Sequence, residues 1–151
     1  MKYVIFDIDG VLADSSHRLH HIMKDPKDWD SFFNPALMMI DYPILPAFAV
    51  LHALQAEEDI RIIFFTGRPE RTRDVTTRWL VQHMESADIG YSEELRMRAN
   101  GDYRNDDIVK EQWLREIGPE NVLCAFEDRN RIVAMYRRHG VICYQAAFGD
   151  F

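Results

Sequence analysis

Four short stretches of this chain are apolar without interruption: Tyr3-Val4-Ile5-Phe6, Ile62-Ile63-Phe64-Phe65, Val122 to Phe126 and Val141 to Tyr144. Runs this short, rich in β-branched and aromatic residues and without polar alternation, predict strands buried on both faces of a parallel sheet. Between them the apolar positions recur at helical spacing. Pro46 to Ala56 carries Phe48, Leu51 and Leu54 ahead of the acidic Glu57-Glu58-Asp59. Pro69 has no amide to leave unbonded, so it suits the first position of a helix over Glu70 to His83, with Val75, Trp79 and Leu80 inward. Asp106 can cap a third helix whose Val109, Trp113 and Ile117 share a face, and Gly118-Pro119 stops it. Asn130 to His139 makes a fourth, closed by Gly140. Strands alternating with helices predict an α/β fold with a doubly wound parallel sheet.

In such a sheet the ligand site lies at the carboxyl ends of the strands. The residues that follow the strands read Asp7-Ile8-Asp9-Gly10, Thr66-Gly67-Arg68 and Glu127-Asp128-Arg129. One stretch breaks the rhythm. Residues 14–45 separate the first strand from the first core helix and are too long for a turn. They hold His17, His20, His21, Trp29, Phe32, Phe33, Met38 and Met39, which predicts a small cap or lid inserted after the first strand.

Composition narrows the picture. The chain has 151 residues, a size that suits one domain over 1–151, and 47% of them are hydrophobic, enough for a core. A net charge of -7 argues against coating nucleic acid or anionic membrane through the overall field. Cys124 and Cys143 each sit in an apolar run and read as buried thiols of a reducing compartment. No signal segment and no bilayer-length run is present, so a soluble, cytoplasmic protein is expected. Arginine far outnumbers lysine, in clusters at Arg68 to Arg78, Arg96 to Arg104 and Arg129 to Arg138; its planar guanidinium suits bidentate phosphate contacts.

The strand ends carry the parts that phosphate-ester cleavage needs. The ester oxygens repel nucleophiles, so a site must fix a nucleophile, a proton donor for the leaving oxygen, and positive charge. Asp7 can be the nucleophile and Asp9, two residues on, the acid and later the base. Two carboxylates and a dianion require a cation, and magnesium, a hard ion, suits oxygen ligands. Asp7 and Asp128 are its expected side-chain ligands, with the Asp9 carbonyl as a third. Thr66 offers a hydroxyl, Gly67 a main-chain amide and Lys110 a compact positive charge to the phosphoryl group.

Asp7 to Leu12, Thr66, Lys110 and Glu127-Asp128 together resemble the four signature motifs of the haloacid dehalogenase superfamily, in order and across the whole chain. Within it the resemblance is to the 3′-phosphatase domain of bacteriophage polynucleotide kinase. It is carried by Thr66-Gly67-Arg68, by Arg98 to Lys110, and by Glu127 to Phe151 with Tyr136-Arg137-Arg138 and Gly149-Asp150-Phe151. The resemblance implies a Rossmann-like core and removal of a terminal phosphate from a nucleic acid or nucleotide, with Arg68 and Arg98 helping to hold it. A phage-encoded protein would work in the host cytoplasm. No Gly-x-x-x-x-Gly-Lys-Ser/Thr loop is present, so the kinase half is absent. Glu127 stands where that domain usually has Asp, and its longer side chain can reach an ion through water. The cap looks longer and more aromatic than the phage enzyme's.

An Asp-x-Asp-Gly alone is more often a plain turn; Thr66, Lys110 and Asp128 in register overturn that reading. The three cap histidines lack a partner set for zinc and read as packing or surface. Trp29, Phe32 and Phe33 read as the cap's own small core sooner than as a stacking platform. The expected activity is a magnesium-dependent phosphomonoesterase on a nucleic-acid 3′-end. A nucleoside monophosphate phosphatase and a catalytically silent binding module remain the alternatives. No protein partner is evident, and the sequence is silent on oligomeric state.

Overall fold

The computed structural model describes residues 1–87 and 94–150. A five-stranded parallel sheet forms its centre, in the order β5-β4-β1-β6-β7. The strands are β1 (Lys2–Phe6), β4 (Ile60–Pro69), β5 (Glu94–Arg98), β6 (Val122–Glu127) and β7 (Cys143–Gln145). Helices α3 (Leu45–Gln55), α4 (Arg73–Ser86), α5 (Asp106–Ile117) and α6 (Asn130–Arg138) connect them. Among the described residues no helix is long and apolar enough to cross a membrane.

The alternation of side chains along β1 explains the layering. Val4 and Phe6 point to one face, with Phe48 and Leu51 of α3 and Trp79, Leu80 and Met84 of α4. Ile5 points to the other, with Leu114 of α5 and Ile132, Val133, Met135 and Tyr136 of α6. Each such side chain contributes about 1.5–3 kcal/mol when fully buried. Because both faces are covered, the central strands read as unbroken apolar runs. Cys124 and Cys143 are buried free thiols, and burial pushes Cys143 up to about 12.

Four details differ from the sequence expectation. The run Val141 to Tyr144 is not buried on both faces: its strand covers Cys143–Gln145 at the sheet edge, and Ile142 and Tyr144 are exposed. Strand β5 was not foreseen: in Glu94-Leu-Arg-Met-Arg, Leu95 and Met97 turn inward and the arginines turn outward, as an edge strand allows. Pro69 ends β4 with extended backbone (φ -72°, ψ 149°), and Glu70–Thr72 form a 3-10 turn before α4 begins. Asn105 precedes α5, so Asp106 is its first helical residue and not its cap.

The inserted segment is stitched at its base by β2 (Ala13–Asp14) and β3 (Tyr42–Pro43), which pair antiparallel. The Ile44 amide also donates to the Leu12 carbonyl. A 3-10 helix over Ser16–His21 and two short helices, α1 (Trp29–Phe32) and α2 (Pro35–Met39), lie between. Asp28 and Asn34 accept side-chain bonds from Ser31 and Ala36 amides, which starts each short helix. Trp29 stacks on Phe33 and meets Phe32 edge-on; Phe32 is buried, whereas Trp29 stays 42% exposed.

Candidate active site

β1 delivers Asp7 to the carboxyl edge of the sheet, where the Asp7 amide donates to the Phe126 carbonyl of β6. The chain then turns tightly, with the amides of Val11, Leu12 and Ala13 all donating to the Ile8 carbonyl. Gly10 makes that turn with φ +81°, and a Cβ there would collide with the Asp128 carboxylate. Asp7 is buried, and its Oδ1 lies 3.0 Å from the Lys110 ammonium, delivered by α5. Lys110 also donates to Glu127 Oε2 at 2.7 Å. The other Glu127 oxygen accepts from the amides of Asp128 (3.0 Å) and Arg129 (3.3 Å). Asp128 Oδ1 is buried with no hydrogen-bond partner among the described residues.

Asp7, Glu127 and Asp128 each present an oxygen within 4.8 Å of the others. Three carboxylates face one ammonium. Burial, followed by the charge of Glu127, holds Asp7 well above the usual carboxylate range despite Lys110. Burial and the charge of Asp7 push Asp128 up to about 6. For Lys110, burial alone would lower the value, but the charges of Asp7 and Glu127 outweigh it and hold it well above the ordinary range. The orphaned Asp128 oxygen and the surplus of negative charge fit a divalent cation with hard oxygen ligands. Asp7 and Asp128 have side-chain oxygens available for it. Glu127 is already bonded to Lys110 and to two amides.

Asp9 lies in a different setting. Arg68 grips it with two bonds, Nε to Oδ2 at 2.9 Å and Nη2 to Oδ1 at 2.8 Å. Arg18 of the inserted segment adds a third at 2.8 Å. Both guanidinium groups also bond Asp41, at 2.7 Å from Arg18 and 3.0 Å from Arg68, closing a ring of two carboxylates and two arginines. His17 Nε2 lies 2.8 Å from Asp41, and Trp79 Nε1 donates to the Asp41 carbonyl. Burial alone would raise Asp9, but Arg68 and then Arg18 hold it down at about 2.

Thr66 is buried, and its hydroxyl accepts from the Arg68 amide at 3.2 Å, which leaves its own proton to donate elsewhere. Gly67 lies so close to Asp106 that a Cβ would stand 2.7 Å from its carboxylate. That carboxylate accepts from both Arg98 and Arg129. Arg98 also donates to the carbonyls of Gly67 (3.3 Å) and Asp102 (2.9 Å).

Asp7, Lys110, Glu127 and Asp128 therefore meet in one cluster, with Asp9, Thr66 and Gly67 on the same edge. The two arginines assigned to substrate make their contacts within the protein. The Arg68 guanidinium is wholly buried against Asp9, Asp41 and Thr76, and Arg98 braces the loop that leaves β5. Arg18, Asp41, Asp106 and Arg129 were not singled out from sequence as site residues. A lone arginine between histidines and an aspartate before Tyr-Pro carry no local signal for pairing.

A parallel sheet that brings carboxylates from its first and fourth strands in chain order around a helix lysine defines a phosphatase of the haloacid dehalogenase superfamily. The family model described as "Polynucleotide kinase PNKP phosphatase domain" matches residues 1–151, and the chain belongs to that family. It is similar to a chain in the "Structure of the Pnkp1/Rnl/Hen1 RNA repair complex", with TM-score 0.79 and 30% identity over 99% of this chain and 43% of the other. A second chain, from the "Structure of Pnkp1/Rnl/Hen1 complex", gives TM-score 0.76 and 33% identity over 99% and 47%. This chain thus spans less than half the length of either. A predicted phosphatase from Clostridium acetobutylicum shares the fold at TM-score 0.71, with 15% identity over 99% of this chain and 87% of that one. Phe151, at the end of the tail motif, lies outside the described residues.

Proposed function

We propose that this phosphatase removes a 3′-phosphate from nucleic-acid ends, with magnesium and through an aspartyl-phosphate on Asp7. The observation that carries the chemistry is the Asp7 carboxylate buried 3.0 Å from Lys110 and beside an unpartnered Asp128 oxygen. A carboxylate oxygen of Asp7 bonds to phosphorus as the ester P–O bond breaks, and the departing oxygen takes a proton from Asp9. Water then attacks the aspartyl-phosphate, gives a proton to Asp9, and releases phosphate and free Asp7. Asp9 is ionised in the substrate-free protein, and the phosphoryl dianion brings like charge that favours its protonated form. Asp7, Asp128 and the Asp9 carbonyl would hold a magnesium ion, which would supply positive charge for a dianion among carboxylates. Lys110 offsets Asp7, the Thr66 hydroxyl donates to a phosphoryl oxygen, and the Gly67 amide stands beside it.

The substrate reading rests on the family and on the two similar chains, one of them from an RNA repair complex, which also leave a protein partner open for this chain. A phosphate-release screen with magnesium, comparing mononucleotides with 3′- and 5′-phosphorylated oligonucleotides, tests it. The 3′-phosphorylated oligonucleotide should be hydrolysed most efficiently at low salt, and that advantage should shrink as salt rises, because contacts to further phosphates release counterions. Preference for mononucleotides at every ionic strength would make the chain a nucleotidase.

A further inference from the structure

Asp128 stands on a short loop, Asp128 and Arg129, between the end of β6 and the start of α6. Little on its carboxylate aims it, since Oδ1 is buried with no hydrogen-bond partner among the described residues. The last torsion of an aspartate is broad and soft. Its direction must therefore come from what packs on it and from the main chain that carries it.

Two glycines supply the packing. Gly10 stands against the side chain, where a Cβ would collide with the Asp128 carboxylate. Gly149 stands against the main chain, where a Cβ would collide with the Asp128 carbonyl and crowd the Arg129 Cα. A carboxylate can swing aside from an added methyl group. A carbonyl cannot, so at Gly149 the loop itself would have to shift.

Gly149 belongs to the segment that follows β7, and that segment bonds the loop repeatedly. The ladder between β6 and β7 ends at Gln145. From there the Ala146 amide donates to the Glu127 carbonyl at 2.9 Å, and the Asn130 amide donates to the Gly149 carbonyl at 2.8 Å. Gln145 Nε2 donates to the Asp128 carbonyl at 3.0 Å and to Asn130 Oδ1 at 2.6 Å. On the other side, the amides of Asp128 and Arg129 are taken by the Glu127 carboxylate. The loop is thus held through its amides by Glu127 and through its carbonyls by the segment after β7.

We infer that Gln145 and Gly149 are positioning residues for Asp128, fixing the main chain of its loop and so the direction of its free oxygen. This rests on the magnesium reading above. Neither residue touches the ion or the ester. Their effect is on the geometry of one ligand, and groups that orient a metal ligand from behind are worth about 10–100-fold in metal affinity.

The test is manganese binding, read from the electron paramagnetic resonance of the free ion, beside turnover of an aryl phosphate over a magnesium series. Gly149→Ala should weaken manganese binding on the order of tenfold. Gln145→Met, which keeps the length and removes the donor, should weaken it by less. Both variants should recover kcat at saturating magnesium, with KM for the ester as in wild type. Phe148→Ala serves as the control, because that ring is fully exposed. It should bind manganese as wild type does, and a loss equal to that of Gly149→Ala would overturn the inference. Unchanged manganese affinity in both positioning variants overturns it too, while binding by wild type leaves the magnesium reading standing. So does lost turnover that saturating magnesium fails to restore. Should Gly149→Ala not fold, Gln145→Met decides by the same readouts. If wild type binds no manganese, the magnesium reading fails, and the inference falls with it.

Discussion

Asp7 and Asp9 stand two residues apart on one turn and have opposite surroundings. Around Asp7, three carboxylates face a single ammonium, and both Asp7 and Asp128 are pushed upward. Around Asp9, two carboxylates face two guanidinium groups, and Asp9 is held at about 2. The first cluster is short of positive charge and carries an unpartnered oxygen. The second is balanced and has its polar atoms bonded. Unbalanced charge in a buried place asks for a ligand, whereas balanced charge holds structure together. The second ring also spans the inserted segment and the core, because Arg18 and Asp41 come from one and Asp9 and Arg68 from the other. The inserted segment is thus fastened to the core by buried ion pairs.

Removing a group from each cluster should sharpen that contrast. Asp7→Asn should lower turnover of an aryl phosphate by more than about a thousandfold, since the amide is not a competent nucleophile. A circular dichroism melt should show the fold retained, and a tenth of wild-type activity would rule Asp7 out. Arg68→Ala leaves Asp9 and Asp41 short of a partner in a buried setting. It should cost about 3–5 kcal/mol in urea unfolding, and a loss below about 1 kcal/mol would mean the ring does not fasten the cap.

The acid-rich cluster should show itself through pH and metal. Asp128 is raised from 3.8 to about 6, so its contribution to stability is complete below the lower value and is lost as pH rises through the upper one. In chelator, wild type should therefore lose stability between about pH 4 and pH 6, the span of the two values, relative to Asp128→Asn. The difference is the quantity to read, because the partly buried His83 is lowered and contributes in that window with opposite sign. Magnesium should remove the difference and restore activity lost in chelator, and Asp128→Ala should lose more activity than Glu127→Ala. Equal melting of the two proteins across the window would contradict the crowding of charge. The smallest effect belongs to Asp30, which lies 3.1 Å from Arg71 at an exposed position. Asp30→Ala should change stability by less than about 0.5 kcal/mol, and a larger change would make the surface contact a second fastening.

The sequence by itself determined the sheet and the nearest chemistry. Uninterrupted apolar runs marked four strands, of which β1 and β4 are covered on both faces while Ile142 and Tyr144 at edge strand β7 stay exposed. A ligand site at their carboxyl ends makes Asp7, Asp9, Thr66 and Glu127-Asp128 visible from position alone. Lys110 was found as part of a motif. Edge strand β5 was hidden because Glu94, Arg96 and Arg98 alternate with Leu95 and Met97 and break the apolar pattern. The pairing of charges was decided by the tertiary structure alone. Arg18 and Asp41 lie 23 positions apart on the cap, and Arg68 lies another 27 beyond. Nothing local says they will meet, since each would read as a solvated side chain in isolation. They form a ring only because the folding of the cap removes all of them from water together, and in that medium each charge must find its opposite.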